Sequence, residues 1–357
     1  MEENDKKNEP LITTIIPTYQ RPRLLKRAIL SVLNQTYHNF QVCVYDNASN
    51  DETADVIKKL SQQDSRVHYY CHSKNIGMVQ NFNFGLDRLE TSYFSFLCDD
   101  DVLLPDFYEK TLNVFKKYPE AGFIVAQTII ATEKEVKEIS LREYEEKLYN
   151  PPEGLLKMSS YGTPTWTSIL FRKEIIREIG LLDEKIGGPS DIDFLLRSAS
   201  ALPFFVLKSP CAIFLIHELS KSSTWSETES LNGYKKILEK IEYNKKISAS
   251  TKSMVYQNLR KRIIRILWQG GFKDIKKRNF LNFQKISKSL KSDFNENSKS
   301  AILCCSIKLC RFSNIFYYFF LVLNKIRKSF DIKKKIKNKK LQNAYGAYLK
   351  YFSKYSE

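Results

Sequence analysis

Three consecutive aspartates, Asp99, Asp100 and Asp101, close a short apolar and aromatic run, Tyr93 to Leu97. Adjacent anions repel, and no basic residue adjoins them in sequence, so the triplet calls for a compensating cation. Carboxylate oxygens without a neighbouring Cys or His pair suit a hard divalent ion, Mg²⁺ or Mn²⁺. The plain alternative is a solvated acidic turn. A second acidic pair, Asp191 and Asp193, follows Gly187-Gly188-Pro189-Ser190 at the start of an apolar helical segment that carries Arg197. There an Asp is favourable for capping and for the helix dipole alone. Asp46 opens a third polar stretch, Asp46 to Thr53, and His217 follows the apolar run Cys211 to Ile216. A lone His of this kind is structural, exposed, or a contact to a metal or phosphate.

The elements that would position these groups alternate regularly. Leu11 to Ile16 reads as a strand ended by Pro17-Thr18-Tyr19, and Pro22 opens a helix with Leu24, Leu25, Ala28, Ile29, Val32 and Leu33 at helical spacing. Phe40 to Tyr45 and Arg66 to Cys71 are strands flanking a helix through Ala54, Ile57 and Leu60. Asn75-Ile76-Gly77 opens the next helix, and Tyr93 to Leu97 is the fourth strand. Strands alternating with helices predict an α/β fold with a mainly parallel sheet, which binds ligands at the carboxyl ends of its strands. Pro17 to Tyr19, Asp46 to Asp51 and Asp99 to Asp101 all fall at such ends, so three polar turns should meet in one crevice. Gly122 to Ile130 is a further strand; residues 132–150 are charged and without clear period. Trp166 precedes an apolar run to Arg172 and would either wall a site or lie in the core.

Composition divides the chain. The 357 residues carry a net charge of +17, but residues 1–224 hold 26 Lys and Arg against 31 Asp and Glu, and residues 225–357 hold 31 against 9. All eleven prolines lie at or before Pro210. We therefore expect a tail at 1–10, a catalytic domain at 11–224 and a helical basic region at 225–357. In the latter, Met254 to Gln269 reads as a basic amphipathic helix ended by Gly270-Gly271. Apolar and aromatic residues from Phe312 to Leu323, followed by Lys325 to Lys328 and the lysines around 333–340, fit an anionic membrane surface or the outer face of a helical cap. Seven cysteines without paired spacing suggest reduced thiols and a cytoplasmic setting, peripheral to the membrane's inner face, with no leader and no run long enough to span a bilayer.

Pro17-Thr18-Tyr19, Ser31 to Thr36, Asp46 to Asp51, Asn75-Ile76-Gly77 and Cys98-Asp99-Asp100-Asp101 resemble, in order and spacing, the family 2 glycosyltransferases of the GT-A fold. The resemblance covers roughly residues 10–220. It implies an inverting transfer from a nucleotide-sugar, with UDP expected, to a glycan or lipid-linked acceptor, in surface polysaccharide assembly. By the same resemblance Pro17, Thr18, Tyr19, Arg21, Asp46, Asn75, Asp99 and Asp100 would bind the donor. Metal contact falls to Asp100, then Asp101, then Asp99, with His217 a further candidate. Asp191 corresponds to the catalytic base, Asp193 and Arg197 to supports of its loop, and Trp166 to the acceptor side. Cys98 stands where many members have another Asp, and Ser190 where an acid is usual. Rival readings are a nucleotidyltransferase, disfavoured because Pro17 to Pro22 lacks glycine, a nucleic-acid-binding protein using the basic region, and a membrane scaffold with an inactive transferase domain.

Overall fold

The computed structural model describes residues 12–217, 227–276, 279–312 and 332–355. The expected tail at 1–10, the aromatic residues Phe316 to Phe320 and the basic run Lys325 to Lys328 lie outside them. The described residues form two compact units: residues 1–184, 190–220 and 341–357 contribute to one, residues 185–189 and 221–340 to the other. Residues 341–357, expected with the basic region, thus belong to the unit that carries the acidic motif.

In that first unit β1 (Ile12–Thr18), α1 (Pro22–Leu33), β2 (Phe40–Asp46), α2 (Thr53–Gln63), β3 (Val67–Cys71), α3 (Met78–Asp87) and β4 (Tyr93–Phe96) alternate strictly. There follow β5 (Val102–Leu103), α4 (Phe107–Lys117), β6 (Phe123–Ala131), β7 (Val136–Ile139), β8 (Leu148–Tyr149), α5 (Glu153–Tyr161), β9 (Ile169–Arg172), α6 (Ile175–Ile179), α7 (Ser190–Ala201) and β10 (Phe204–Leu215). One sheet runs β3-β2-β1-β4-β9-β6-β10-β5, with β7 on β6 and β8 on β10. β3, β2, β1 and β4 are mutually parallel, and β10 is parallel to β6. The fold is α/β of the GT-A type. α1 buries Leu25, Ala28, Ile29 and Val32 against the sheet, as its spacing predicts.

Three boundaries differ from the sequence expectation. β1 continues through Pro17 and Thr18, paired with Tyr45 and Asp46 of β2. Ile15 is the last β1 residue in register with β4, so the proline's missing N–H falls where that ladder has ended. β10 begins at Phe204, ahead of Cys211; Lys208 to Pro210 break the apolar pattern and coincide with register shifts against β6. The stretch 132–150, without period, holds the two short strands β7 and β8.

The second unit is helical: α8 (Glu227–Tyr243), α9 (Ala249–Lys276), α10 (Phe280–Ser292) and α11 (Asn297–Phe312). α9 buries Val255, Leu259, Ile263 and Leu267, while Lys261 and Arg265 remain exposed. The expected stop at Gly270-Gly271 does not occur; α9 runs on to Lys276. A Cβ on Gly271 would lie 3.0 Å from Leu303 and 3.7 Å from Ile286, so the bare backbone serves helix packing. α12 (Ile332–Tyr345) and α13 (Lys350–Lys354) complete the chain. No helix of the described residues is long and apolar enough to cross a membrane.

Close packing beneath the first unit's sheet can be tested at Gly85. A Cβ there would lie 2.8 Å from both Ile15 Cγ2 and Tyr45 Cε2, two core side chains without room to retreat. Gly85→Ala should lose roughly 1–3 kcal/mol, despite the better helix propensity of Ala. Urea denaturation would read this as a lower midpoint at unchanged slope.

Candidate active site

Where β4 ends, the Leu97 N–H still donates to the Ile15 carbonyl (3.1 Å), and the chain then turns through Cys98 to Asp101 before re-entering as β5. The three carboxylates meet different partners. Asp99 accepts from the Thr18 hydroxyl (2.8 Å) and from Arg21 Nη1 (3.0 Å). Asp100 Oδ2 accepts from Arg21 Nη1 (3.0 Å) and lies 2.9 Å from His217 Nε2. Asp101, wholly buried, accepts the Leu215 N–H (3.0 Å) and the Thr167 hydroxyl. The triplet thus has basic partners that its sequence neighbours do not reveal. Arg21 comes from the β1–α1 turn, and His217 follows β10.

Burial dominates the electrostatics. It pushes the Asp99 carboxyl up to about 6 despite the opposing Arg21 charge. Burial, and then the Asp100 charge, raise Asp101 well above the usual carboxylate range. The Cys98 thiol is raised too, first by burial and then by the surrounding carboxylates, Asp191 among them. A thiol so held is no ligand for a hard ion. Cys98, Asp100 and Asp101 nevertheless place one donor atom each within 4.8 Å of one another. The oxygen atoms of that set, with the His217 nitrogen beside Asp100, fit Mn²⁺ or Mg²⁺ chemically.

The backbone of the motif is fastened from α1. Arg27 Nη2 donates to the Asp100 carbonyl (3.1 Å), Ser31 Oγ accepts the Leu103 N–H (3.0 Å), and Gln35 Nε2 donates to the Leu104 carbonyl (2.7 Å). Arg27 and Ser31, spaced by four, share one face of α1, and Gln35 lies two residues past its end. Sequence reasoning missed Arg27 and Thr167. For Arg27 the available signal was its spacing from Ser31, within a helix otherwise read for its apolar side chains.

The other two polar turns reach the same place. The Asn47 N–H donates to the Thr18 carbonyl (3.0 Å), and the Gln20 N–H to Ser49 Oγ (2.9 Å). Asp46, 2% exposed, accepts the Ser49 N–H (3.0 Å) and the Tyr69 hydroxyl (2.8 Å). Asn47 Nδ2 donates to Asn75 Oδ1 (3.0 Å), joining the turn before α3. Gln20, Ala48 and Asn50 have φ of 56°, 61° and 52°, a conformation that side chains other than glycine adopt at a cost. Pro17 is half-buried between the buried Ile16 and Thr18, and Tyr19 is 40% exposed.

Asp191 occupies the first turn of α7, its Oδ1 accepting the Ile192 N–H (2.8 Å); burial pushes its carboxyl up to about 6. Asp193 is buried and accepts Arg197 Nε (2.8 Å). The same guanidinium donates to the carbonyls of Ile179 and Leu181, tying α7 to the chain after α6. Trp166 is 7% exposed and stacks on Phe96 at 4.5 Å, with Phe194 at 5.5 Å. Its Nε1 is buried without a hydrogen-bond partner.

Residues 13–180 match the family model described as Glycosyl transferase family 2. An uncharacterized glycosyltransferase of Rickettsia prowazekii is 30% identical over 239 residues, covering 65% of this chain and 70% of that protein. The chain belongs to glycosyl transferase family 2. Among its other relatives are an uncharacterized glycosyltransferase of Haemophilus influenzae, 36% identical over 106 residues, and a GalNAc(5)-diNAcBac-PP-undecaprenol beta-1,3-glucosyltransferase of Campylobacter jejuni, 36% identical over 96 residues. These matches cover 30% and 27% of this chain, and 42% and 31% of the relatives' length, so the chain spans less than half of either. S. aureus TarS 1-349 in complex with UDP-GlcNAc shares the fold, with a TM-score of 0.61, 14% identity and coverage of 78% of this chain and 80% of that one.

This family 2 chain uses Asp101 and Asp100 differently, which denaturation can separate. Asp101→Ala leaves the Leu215 N–H and the Thr167 hydroxyl unpaired and should cost roughly 1–3 kcal/mol for each buried group stranded. Asp100→Asn keeps an acceptor and removes one of three like charges, so its urea midpoint should stay near that of the parent.

Proposed function

We propose that the chain is an inverting, metal-dependent glycosyltransferase that moves a sugar from a UDP-sugar to a hydroxyl of a glycan or lipid-linked acceptor. One observation carries the reading. Asp99, Asp100, Arg21 and His217 converge where β4 ends, and the Asp191 carboxylate is held at the start of α7 in the same unit. A carboxylate that can take a proton thus accompanies a cluster suited to a diphosphate.

In this reading Pro17, Thr18, Tyr19, Asp46 and Asn75 line the base and ribose, and Asp99 and Arg21 the ribose and diphosphate. Asp100 with His217 would hold Mn²⁺ or Mg²⁺, Asp101 orienting them from behind; bound there, the ion neutralises charge on the diphosphate. Asp191 accepts the proton of the acceptor hydroxyl as that oxygen bonds to the anomeric carbon opposite the departing diphosphate. A leaving group so stabilised needs no general acid, so one catalytic carboxylate suffices, unlike the pair that glycosidases use. Asp193 and Arg197 fix the turn that presents Asp191, and Trp166 closes the acceptor side from below. UDP-GlcNAc in the TarS complex supports a uridine donor, and the undecaprenol-linked substrate in the name of the C. jejuni relative supports a lipid-linked acceptor.

A lipid-linked acceptor sits well with the basic region, which we infer meets an anionic membrane face on the cytoplasmic side in polysaccharide biosynthesis. Each Lys or Arg near such a surface contributes about 1 kcal/mol, within a Debye length of about 8 Å at physiological salt. Co-sedimentation should require anionic lipid, weaken with salt and decline when the lysines of 333–340 are neutralised. Equal recovery with neutral vesicles at low salt would instead favour a soluble acceptor.

Activity is tested with a panel of nucleotide-sugars, followed by hydrolysis and thermal stabilisation with and without Mn²⁺. Stabilisation by UDP that survives chelation would remove the metal's role. Asp191→Asn should lower transfer by roughly 10²–10⁴ while UDP affinity holds. Because the base must be ionised, kcat/KM of the parent should rise with pH and level off above about 6. The sign for stability is opposite. A carboxyl raised in the folded state binds its proton more tightly there, so its ionisation weakens the fold as pH climbs from the unfolded value through about 6. Asp191→Asn should therefore melt no lower than the parent at pH 8.

A further inference from the structure

Arg27 is 2% exposed, and burial lowers its pKa. Its Nη1 pairs with Glu133 at 3.1 Å, its Nη2 holds the Asp100 carbonyl, and its Nε has no partner among the described residues. The Glu133 side chain is 64% exposed, so that ion pair is partly screened by water. What covers the guanidinium is a ring from the far end of the unit: Phe352, 3% exposed, lies with its centroid 4.7 Å from Arg27 Cζ. Phe352 belongs to a docked segment. Leu341, Phe352 and Tyr355 share a core with Val102 and Leu104, which follow the acidic motif, and with Leu215, whose N–H holds Asp101. Gln342 Oε1 accepts the Val136 N–H (2.9 Å), pinning the segment's start to β7.

We propose that residues 341–355 act as a brace for the acidic motif, with Phe352 a positioning residue that keeps Arg27 on the Asp100 carbonyl. A guanidinium buried on a ring face is attracted by the ring's quadrupole, and the attraction grows as water is excluded. Without the ring, Arg27 gains water as a competing partner, and the Asp100 carbonyl loses a fixed donor. Asp100 would then be held only through its carboxylate, by Arg21 and His217, groups that a bound diphosphate must also meet. The consequence for donor binding rests on the function proposed above; the consequence for the motif's backbone does not.

Hydrogen–deuterium exchange of the full chain, without ligand, reads the backbone arm. The amides of Asp101, Leu103 and Leu104 are bonded to the Cys98 carbonyl (3.1 Å), Ser31 Oγ (3.0 Å) and the Cys211 carbonyl (2.8 Å). Phe352→Ala should speed their exchange roughly two- to thirtyfold. Phe352→Tyr, which keeps the ring, should leave it near the parent rate. Ile57→Ala, a cavity in the cluster that includes Leu103 but not Val102, Leu104 or Phe352, should leave the Asp101 and Leu104 amides unchanged even at an equal loss of melting temperature. Should Phe352→Ala not fold, Phe352→Leu carries the same expectation, since it keeps bulk and removes the ring. Unchanged exchange in the ring-less variant, or equal acceleration by Ile57→Ala, overturns the brace. Calorimetry with UDP and Mn²⁺ reads the second arm: affinity should fall by a similar factor in the ring-less variant and recover in Phe352→Tyr. If the parent binds no UDP, the donor reading fails, while the exchange result still decides the brace.

Discussion

Three adjacent carboxylates held away from water are the constraint that the first unit is built to satisfy. Each would be costly alone, and like charges side by side compound the cost. The fold divides the load. Asp101 is met by a main-chain N–H and a hydroxyl, Asp99 by a hydroxyl and a guanidinium, and Asp100 by the Arg21 guanidinium and the His217 ring nitrogen. The outermost two therefore keep charge-bearing partners that can be rearranged, while the innermost serves as foundation.

The sheet topology follows from the same need. β4 must end beside β1 so that Thr18 and Arg21 reach Asp99, and β10 must run beside β5 so that Leu215 and His217 reach Asp101 and Asp100. α1 contributes Arg27 and Ser31, and the residues after it Gln35, to the chain that joins β4 to β5 and continues from it. Hydrogen bonds from side chains to main chain are well suited to this task, since they fix a loop whose own carbonyls and amides have no strand to pair with.

Much of this was legible in the sequence where the signal was local. Strands of the alternating half stand out because each is a short apolar run closed by a polar turn, and the positions of Asp46 and Asp99 to Asp101 follow from those ends, whereas Asp191 was read from the glycine- and proline-led start of a helix. What stayed hidden depends on partners distant along the chain. A charged residue in an amphipathic helix is read as solvent-facing by default, so Arg27 gave no sign of burial. Gly270-Gly271 resembles a helix stop until Leu303 and Ile286 are known to need the space. Residues 341–355 follow the lysine run directly, and their own composition, four tyrosines with Leu341, Leu349 and Phe352 against two lysines, marks them as core only once their partners are known.

The placement of that last segment bears on how the molecule comes into being. Synthesis proceeds from the N-terminus, and domains generally fold as units once their residues are available. Here the first unit's residues are not all available until the helical unit has been translated, because residues 221–340 intervene between β10 and the segment that completes its second core. A nascent chain paused within those residues would carry the acidic motif and Asp191 with Arg27 still uncovered. The site would be complete only after those residues had been made, and the helical unit would be translated before it.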